Sequence, residues 1–189
     1  MKTFLLLLAL GASLASASTS CDSDWITFNR ASGSWCVRVF YGVFTKDLAS
    51  SLCANHGAVL SGVQNADERM KIADAARDII VANRRRTESI NVAGLWLGAK
   101  KKSTCQLANS CAASDRFEWT DGVTTGTDGF KFAVVQSNPK NQCIQQIVFD
   151  NSTTNPGWPG YQHGDLEETD CTSVITPPYK LYACGKNPK

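Results

Sequence analysis

Eight cysteines in a chain of 189 residues restrict what this sequence can fold into more than any other feature. Even sets of cysteines in exported chains form disulfide bonds. A metal site is the alternative, but the chain has only two histidines and no close Cys-x-x-Cys pair. We therefore predict four disulfides, although eight cysteines allow about 105 pairings and their number does not choose among them. The cysteines are Cys21, Cys36, Cys53, Cys105, Cys111, Cys143, Cys171 and Cys184.

The first 17 residues have the pattern of a signal peptide. A basic start at Lys2 precedes the apolar run Phe4 to Leu10, which is too short for a membrane span, since spanning helices need about 20 residues. Ala15-Ser16-Ala17 then gives the small-x-small pattern of a cleavage site. We predict cleavage after Ala17 and a secreted, extracellular protein of residues 18–189 without a membrane span.

The composition predicts one globular domain in the mature chain. The sequence has 43% hydrophobic and 19% charged residues, and its length suits a single domain of roughly 100–200 residues. A formal net charge of +2 gives no general attraction to nucleic acid or to anionic membranes. The sequon Asn151-Ser152-Thr153 predicts glycosylation of Asn151, which fits passage through the secretory pathway.

The chain begins with two predicted helices and continues with short strands and long loops. Thr45 is a suitable N-cap for a helix over residues 45–53, and Asn65 with Glu68 forms a variant capping box at the start of a second helix. Residues 150–165 are rich in Thr, Asn, Gly and Pro and predict a long loop, a kind of segment that is commonly functional. The predicted strands include Gly94–Gly98, Phe117–Trp119, Cys143–Phe149 and Lys180–Cys184.

Several motifs follow one another along the chain in an order that is informative only as a set. They are Cys21-x3-Trp25 with Cys36, Cys53-Ala54-Asn55-His56-Gly57-Ala58-Val59-Leu60, the Asn65/Glu68 helix start, Leu95-Trp96-Leu97-Gly98, Phe117-Glu118-Trp119-Thr120-Asp121-Gly122, and the terminal Cys143, Cys171 and Cys184. This ordered set resembles the long-form C-type lectin-like domain over about residues 21–185. The resemblance implies an α+β fold with two helices, two small antiparallel sheets, disulfide staples and a long ligand-binding loop.

The resemblance also implies how the cysteines pair. Cys53 would pair with Cys184, Cys143 with Cys171 and Cys21 with Cys36, which leaves Cys105 and Cys111 as a local extra bridge. The second of these bridges would close the base of the long loop.

Sugar-binding members of this family hold one calcium ion with oxygen ligands from three places in the sequence. By resemblance these places are Gln136 with Asn138, then Asn141, and then the pair Glu167-Glu168. The family's loop proline is displaced, Asn141 stands where a carboxylate is usual, and glutamates replace an Asn-Asp pair. All five side chains still carry oxygens of the kind calcium prefers. They are the predicted ligand and calcium site, with calcium-independent ligand binding as the alternative.

Three segments allow two interpretations each. Residues 165–170 are either an acidic calcium-binding cluster or a solvated acidic turn beside a disulfide. Trp158 either stacks on a sugar or anchors the long loop to the core. The basic tracts Arg84–Arg86 and Lys100–Lys102 are either solvated or attract anionic glycans.

The sequence does not predict an enzyme. Hydrolysis by serine or cysteine needs a nucleophile, a base and an orienting group, yet His56 is expected at the end of a helix and His163 at a surface or ligand contact. We predict a secreted C-type lectin-like protein that binds an extracellular glycan or glycoprotein, with a role in innate immunity expected from the resemblance alone. The alternative is a calcium-independent protein-binding or inhibitory module on the same fold.

Overall fold

The computed structural model describes residues 20–42, 45–83, 91–107, 110–133 and 138–189. The predicted signal peptide, Arg84–Arg86 and Gln136 lie outside the described residues. The helices in these ranges are α1 (Lys46–Ala54) and α2 (Ala66–Asn83). The strands are β1 (Ile26–Arg30), β2 (Gly33–Tyr41), β3 (Val59–Leu60), β4 (Val92–Lys101), β5 (Phe117–Trp119), β6 (Cys143–Phe149), β7 (Leu166–Thr169) and β8 (Lys180–Lys186).

These strands join in one hydrogen-bonded sheet with the order β1-β2-β8-β4-β6-β7, in which β3 pairs with β8 and β5 with β4. The α+β fold with two helices is confirmed. Strand pairs are antiparallel except β4 and β8, which run parallel over Gly94–Trp96 and Lys180–Tyr182. Because β8 pairs with both β2 and β4, the expected two antiparallel sheets are continuous with each other.

Side-chain caps start both helices where the sequence predicts. The Thr45 hydroxyl accepts a hydrogen bond from Leu48 N at 3.4 Å, and Asn65 Oδ1 accepts one from Glu68 N at 3.0 Å. The Glu68 carboxylate accepts from Gln64 N and forms a buried ion pair with Arg30, 2.6 Å between Oε2 and Nη2. This pair fixes the start of α2 against β1.

The sheet separates two apolar cores. On one side, Ile72 of α2 packs in a cluster with Leu95 and Ile144. On the other side, Trp96 and Tyr182 belong to a cluster that includes residues of α1. Leu95 and Trp96 are consecutive, so they fall in different cores because side chains alternate along a strand. We call the two sides the α2 face and the α1 face.

Four disulfides staple this arrangement, and the pairing implied by the resemblance is confirmed. Two bridges connect distant parts of the chain: Cys53–Cys184 ties α1 to β8, and Cys143–Cys171 ties the start of β6 to the residues after β7. The other two bridges are Cys21–Cys36 and Cys105–Cys111.

Removing the Cys53–Cys184 bridge should destabilise the protein more than removing the Cys105–Cys111 bridge. The first spans 131 residues and the second 6. In the chain-entropy description these loops correspond to about 5 and about 2 kcal/mol of stabilisation. We expect the double variant Cys53→Ala/Cys184→Ala to lose about twice as much unfolding free energy in urea as Cys105→Ala/Cys111→Ala. Equal losses would contradict this account of the staples.

Candidate functional site

The strand β7 contains both glutamates of the predicted calcium site. In its pairing with β6, Glu168 lies opposite Ile144 and Glu167 lies opposite Gln145. Ile144 belongs to the core on the α2 face, and Gln145 lies opposite Trp96 of the α1 face. Directly paired residues point to the same side of a sheet, so the two carboxylates point in opposite directions.

Glu168 is buried on the α2 face between two cations. Its Oε1 pairs with Arg116 Nη1, and its Oε2 lies 3.2 Å from Lys101 Nζ as an ion-pair contact outside hydrogen-bond geometry. The side chains of Lys101, Arg116 and Glu168 are at most 3% exposed. A buried carboxylate needs such partners, because an unpaired charge in the interior is strongly unfavourable.

Both cations are also held by the loops around the site. Lys101 Nζ donates to the backbone oxygen of Asn138 at 3.0 Å. Arg116 Nη2 donates to the backbone oxygen of Cys111 at 3.3 Å. The ion-pair cluster of Lys101, Arg116 and Glu168 therefore connects β4, β7 and two loops.

Glu167 is engaged on the α1 face by neutral donors. Tyr161 Oη donates to Glu167 Oε1 at 2.9 Å, and Gln145 Nε2 donates to Oε2. Burial, followed by the charge of Glu167, raises the pKa of Tyr161 above its usual range, so the phenol remains a donor. Glu167 thus ties the long loop, residues 150–165, to β6 and β7.

A buried lysine completes this second network. Lys180 Nζ donates to Gln145 Oε1 and, at 2.9 Å, to the backbone oxygen of Thr176, and it lies 5.0 Å from the ring centre of Trp96. Burial lowers the pKa of Lys180 to about 8, while the nearby Glu167 charge acts in the opposite direction. The α1 face therefore has its own internal cation.

Gly94 makes room for the contact between Lys180 and Gln145. A Cβ atom at this position would lie 2.3 Å from Gln145 Oε1 and 3.1 Å from Lys180 Nζ. Since Gly94 pairs with Lys180 across β4 and β8, any larger residue would push the amide and the ammonium away from the strand.

Asn138 and Asn141, the other predicted ligand residues in the described part of the chain, make separate contacts. Asn138 is exposed, and its Oδ1 accepts from the backbone nitrogen of Lys140 at 3.0 Å. Asn141 Nδ2 donates to the backbone oxygen of Glu168 at 3.0 Å, so its side chain meets the backbone of β7. Asn138 meets the ion-pair cluster only through its backbone.

The described residues of this predicted set are not directed to one point at which they could share a calcium ion. Calcium takes roughly 6–8 oxygen ligands around one point, whereas Glu167 and Glu168 are directed to opposite sides of the sheet. In the part of the chain that the structure describes, no group of three or more His, Cys, Asp or Glu side chains is arranged to hold a metal ion. Residues 165–170 are also not a solvated turn, because Leu166–Thr169 is a largely buried strand.

Trp158 anchors the long loop. It is partly buried against a small core of Val92, Ile147, Phe149 and Tyr161, and its ring meets that of Tyr161 edge-on with 5.4 Å between centroids. The loop-anchor interpretation of this tryptophan therefore agrees with its packing, and part of the side chain still reaches the surface.

The histidines occupy different environments. His56 is exposed after α1 and stacks on Phe40 at 4.6 Å, as a helix-end residue would. His163 is buried, which contradicts its expected surface position. All eight cysteines are in disulfides, so none offers a thiol nucleophile beside a histidine.

No helix within the described ranges is both long and apolar enough for a membrane crossing.

Sequence reasoning missed the two cations that pair with Glu168 and the lysine that Gln145 links to Glu167. Lys101 follows Leu95, Leu97 and Ala99 at alternating positions of β4, and all four are buried. That alternation indicates that the Lys101 side chain points into the core, although a lysine near a strand end is usually solvated. Arg116 and Lys180 gave no comparable signal, because their partners lie on strands that only the fold brings close.

The fold and disulfide framework define a C-type lectin-like domain. A family model described as C-type lectin domain-containing protein 141/158 matches residues 26–177, and the chain belongs to this family. The C-type lectin domain-containing protein 158 of Caenorhabditis elegans is 28% identical over 79 residues. This match covers 37% of the chain and 37% of the worm protein, so the chain matches little more than a third of that relative.

Solved structures share the same fold at low sequence identity. Human lithostathine is 15% identical with a TM-score of 0.55, covering 95% of this chain and 99% of its own. A calcium-independent type II antifreeze protein is 17% identical with a TM-score of 0.53, covering 90% and 96%. The carbohydrate-recognition domain of cow CD23, solved in the presence of an oligosaccharide, is 13% identical with a TM-score of 0.52, covering 90% and 98%.

Replacing Glu168 with glutamine should destabilise the fold because Lys101 and Arg116 would remain buried without a counter-charge. We expect a loss of about 3 kcal/mol or more in unfolding free energy, measured by urea denaturation with the disulfides intact. The matched control is Glu118→Gln, which removes a carboxylate from an exposed pair with Lys100 at 3.1 Å. The control should change stability by about 0.5 kcal/mol or less. Similar losses in both variants would contradict a special role for the buried cluster.

Proposed function

We propose that this protein is an extracellular binding protein that recognises a carbohydrate through its long-loop face without a bound calcium ion. The long-loop face consists of residues 150–165 and the neighbouring residues 138–141. The observation that carries the proposal is that Glu167 and Glu168 lie on opposite sides of β7, each already engaged by the protein.

Energetics favour the calcium-free state. A calcium ion at Glu168 would have to displace Lys101 and Arg116, and breaking a buried ion pair costs roughly 3–5 kcal/mol. The displaced cations would then remain close to the metal and repel it. The protein's own ammonium and guanidinium groups supply the positive charge at this carboxylate.

The chemistry of the long loop supports carbohydrate as the ligand class. Trp158 offers part of an aromatic ring. The exposed Gln162 and partly exposed Asn155 offer amide N–H donors to sugar hydroxyls, while their oxygens accept from Lys131 and from the backbone of Gly157. The similarity in fold to a carbohydrate-recognition domain, that of cow CD23, agrees with this ligand class.

Three features support an extracellular location. The leader has the pattern of a signal peptide, the chain carries four disulfides, and Asn151 of the sequon is exposed. Recognition of microbial glycans in innate immunity is the biological role that this proposal would serve.

A glycan array that includes microbial glycans tests the proposal. Residues 18–189, refolded with their disulfides, should bind with equal signal in calcium and in EDTA. Trp158→Ala should lower the signal at least tenfold because it removes both the partly exposed aromatic ring and the packing that anchors the long loop. The control His56→Ala, which removes an exposed aromatic ring next to α1, should bind like the wild type.

Two results would contradict this function. Loss of glycan binding in EDTA would show that a metal is required. Absence of binding to any glycan would exclude the carbohydrate assignment, provided that the refolded protein melts cooperatively.

Exposed apolar side chains favour a second candidate, a protein-binding or inhibitory module. Leu107 and Ile175 are each 76% exposed; Leu107 lies between Cys105 and Cys111, and Ile175 lies between Cys171 and β8. An array of extracellular proteins tests this candidate. Binding should be lost in Leu107→Ser/Ile175→Ser and kept in Trp158→Ala, whereas the opposite result would favour the long-loop face.

A further inference from the structure

His163 fastens the long loop to the rest of the protein. Its Nδ1 accepts a hydrogen bond from the backbone nitrogen of Phe149, the last residue of β6, at 3.0 Å. Its Nε2 lies 3.2 Å from Asp74 Oδ1 on α2. The histidine side chain is 2% exposed, so it joins loop, sheet and helix at one buried point.

These contacts require a neutral imidazole with its proton on Nε2. An amide N–H can only donate, so Nδ1 must carry a lone pair, and Nε2 then donates to Asp74. Protonation of Nδ1 would place two N–H groups against each other and break the bond to Phe149. The ring must leave this position to be charged and solvated.

The surroundings of His163 reinforce the neutral form. Arg77 of α2 donates to the backbone oxygens of Phe149 and Ser152, and it lies beside Asp74 with 3.6 Å between Nη1 and Oδ1. Burial, followed by the charge of Arg77, lowers the pKa of His163 from 6.5 to about 4, while Asp74 and then Asp165 act in the opposite direction. Lys131 and Arg69 partly offset the charge of Asp165, at 2.9 and 3.9 Å from its Oδ1.

The same histidine also closes the neck of the loop. Its backbone nitrogen donates a hydrogen bond to the backbone oxygen of Thr153 at 2.9 Å. This bond lies next to an isolated antiparallel β-bridge between Thr154 and Gln162. Trp158 and Tyr161 lie between these two arms. Displacement of the His163 side chain therefore removes the contact that joins the second arm of the loop to both β6 and α2, while the contacts of Arg77 with Ser152 and of Tyr161 with Glu167 remain.

We propose that His163 is an acid-sensitive clasp, so that its protonation opens the long loop and releases a ligand bound to the long-loop face. This inference rests on the proposed function for that face, but the opening of the loop does not require a ligand. The closed loop is fully favoured above pH 6.5, the ordinary value for histidine. As the pH falls from there toward 4, the equilibrium constant for closing decreases by about tenfold per pH unit.

An NMR titration of the uniformly labelled, disulfide-bonded protein from pH 7.5 to 3.5 tests the clasp. The signals to follow are the His163 ring, the Phe149 amide and the Trp158 indole N–H. We expect all three to change together with a midpoint well below 6.5, before the core signals of β4 are lost. A Phe149 amide and Trp158 indole that do not respond when the His163 ring titrates would overturn the proposal.

Variants separate the histidine from carboxylates that titrate in the same range. His163→Asn keeps a δ-position acceptor for Phe149, is too short to reach Asp74 and does not titrate, so its loop signals should not change with pH. Asp74→Asn replaces the charged acceptor of the Nε2–H group by a weaker neutral one, so the loop should open at a higher pH. His56→Asn is the matched control and should behave like the wild type. The same transition in His163→Asn as in the wild type would assign it to other groups and overturn the proposal.

Ligand binding then tests the link to function. Affinity for an array-positive glycan should fall by about tenfold between pH 7 and one pH unit below the midpoint of the loop transition in the wild type, and by less than twofold over the same range in His163→Asn. A pH-independent affinity alongside a confirmed loop transition would refute ligand release without affecting the proposed glycan binding. If no glycan binds at all, the NMR titration still decides whether the clasp exists.

Discussion

The alternation of side chains along β7 is the constraint on which the candidate site depends. Adjacent side chains of a strand point to opposite sides, so Glu167 and Glu168 are directed away from each other. Pairing of β7 with β6 directs Glu168 to Lys101 and Arg116, and Glu167 to Tyr161 and Gln145. Each carboxylate thereby contributes to the interior of the fold.

Each carboxylate is linked to a cation that the chain itself carries. On the α2 face the ion pairs are direct, whereas on the α1 face Gln145 stands between Glu167 and Lys180. Both networks neutralise or hydrogen-bond buried charged groups, and both also hold loops. The α2-face network holds residues 138–141, and the α1-face network holds the long loop. In this arrangement, the two carboxylates that could have bound calcium instead hold the loops that form the surrounding surface.

Much of the fold could be predicted because its signals are local or follow a strict order. The caps at Thr45 and Asn65 act within one helical turn, and the spacing of the cysteines matched a family pattern that gave their pairing. The site was less predictable. Residues 165–170 are polar and acidic in sequence, and only the distant cations that neutralise Glu168 make a buried strand favourable there. His163 was misplaced for the same reason, since its partners Asp74 and Phe149 are far away in sequence.

The proposed function requires that the protein's own cations take the place of calcium at this site. Isothermal titration calorimetry of calcium into the disulfide-bonded protein at neutral pH tests it most directly, with magnesium as the control ion. The account predicts no saturable heat for calcium at concentrations up to the millimolar range, in which weak extracellular calcium sites fill. A saturable binding curve with about one calcium per chain, abolished by Glu168→Gln or Glu167→Gln in variants that still fold, would contradict it.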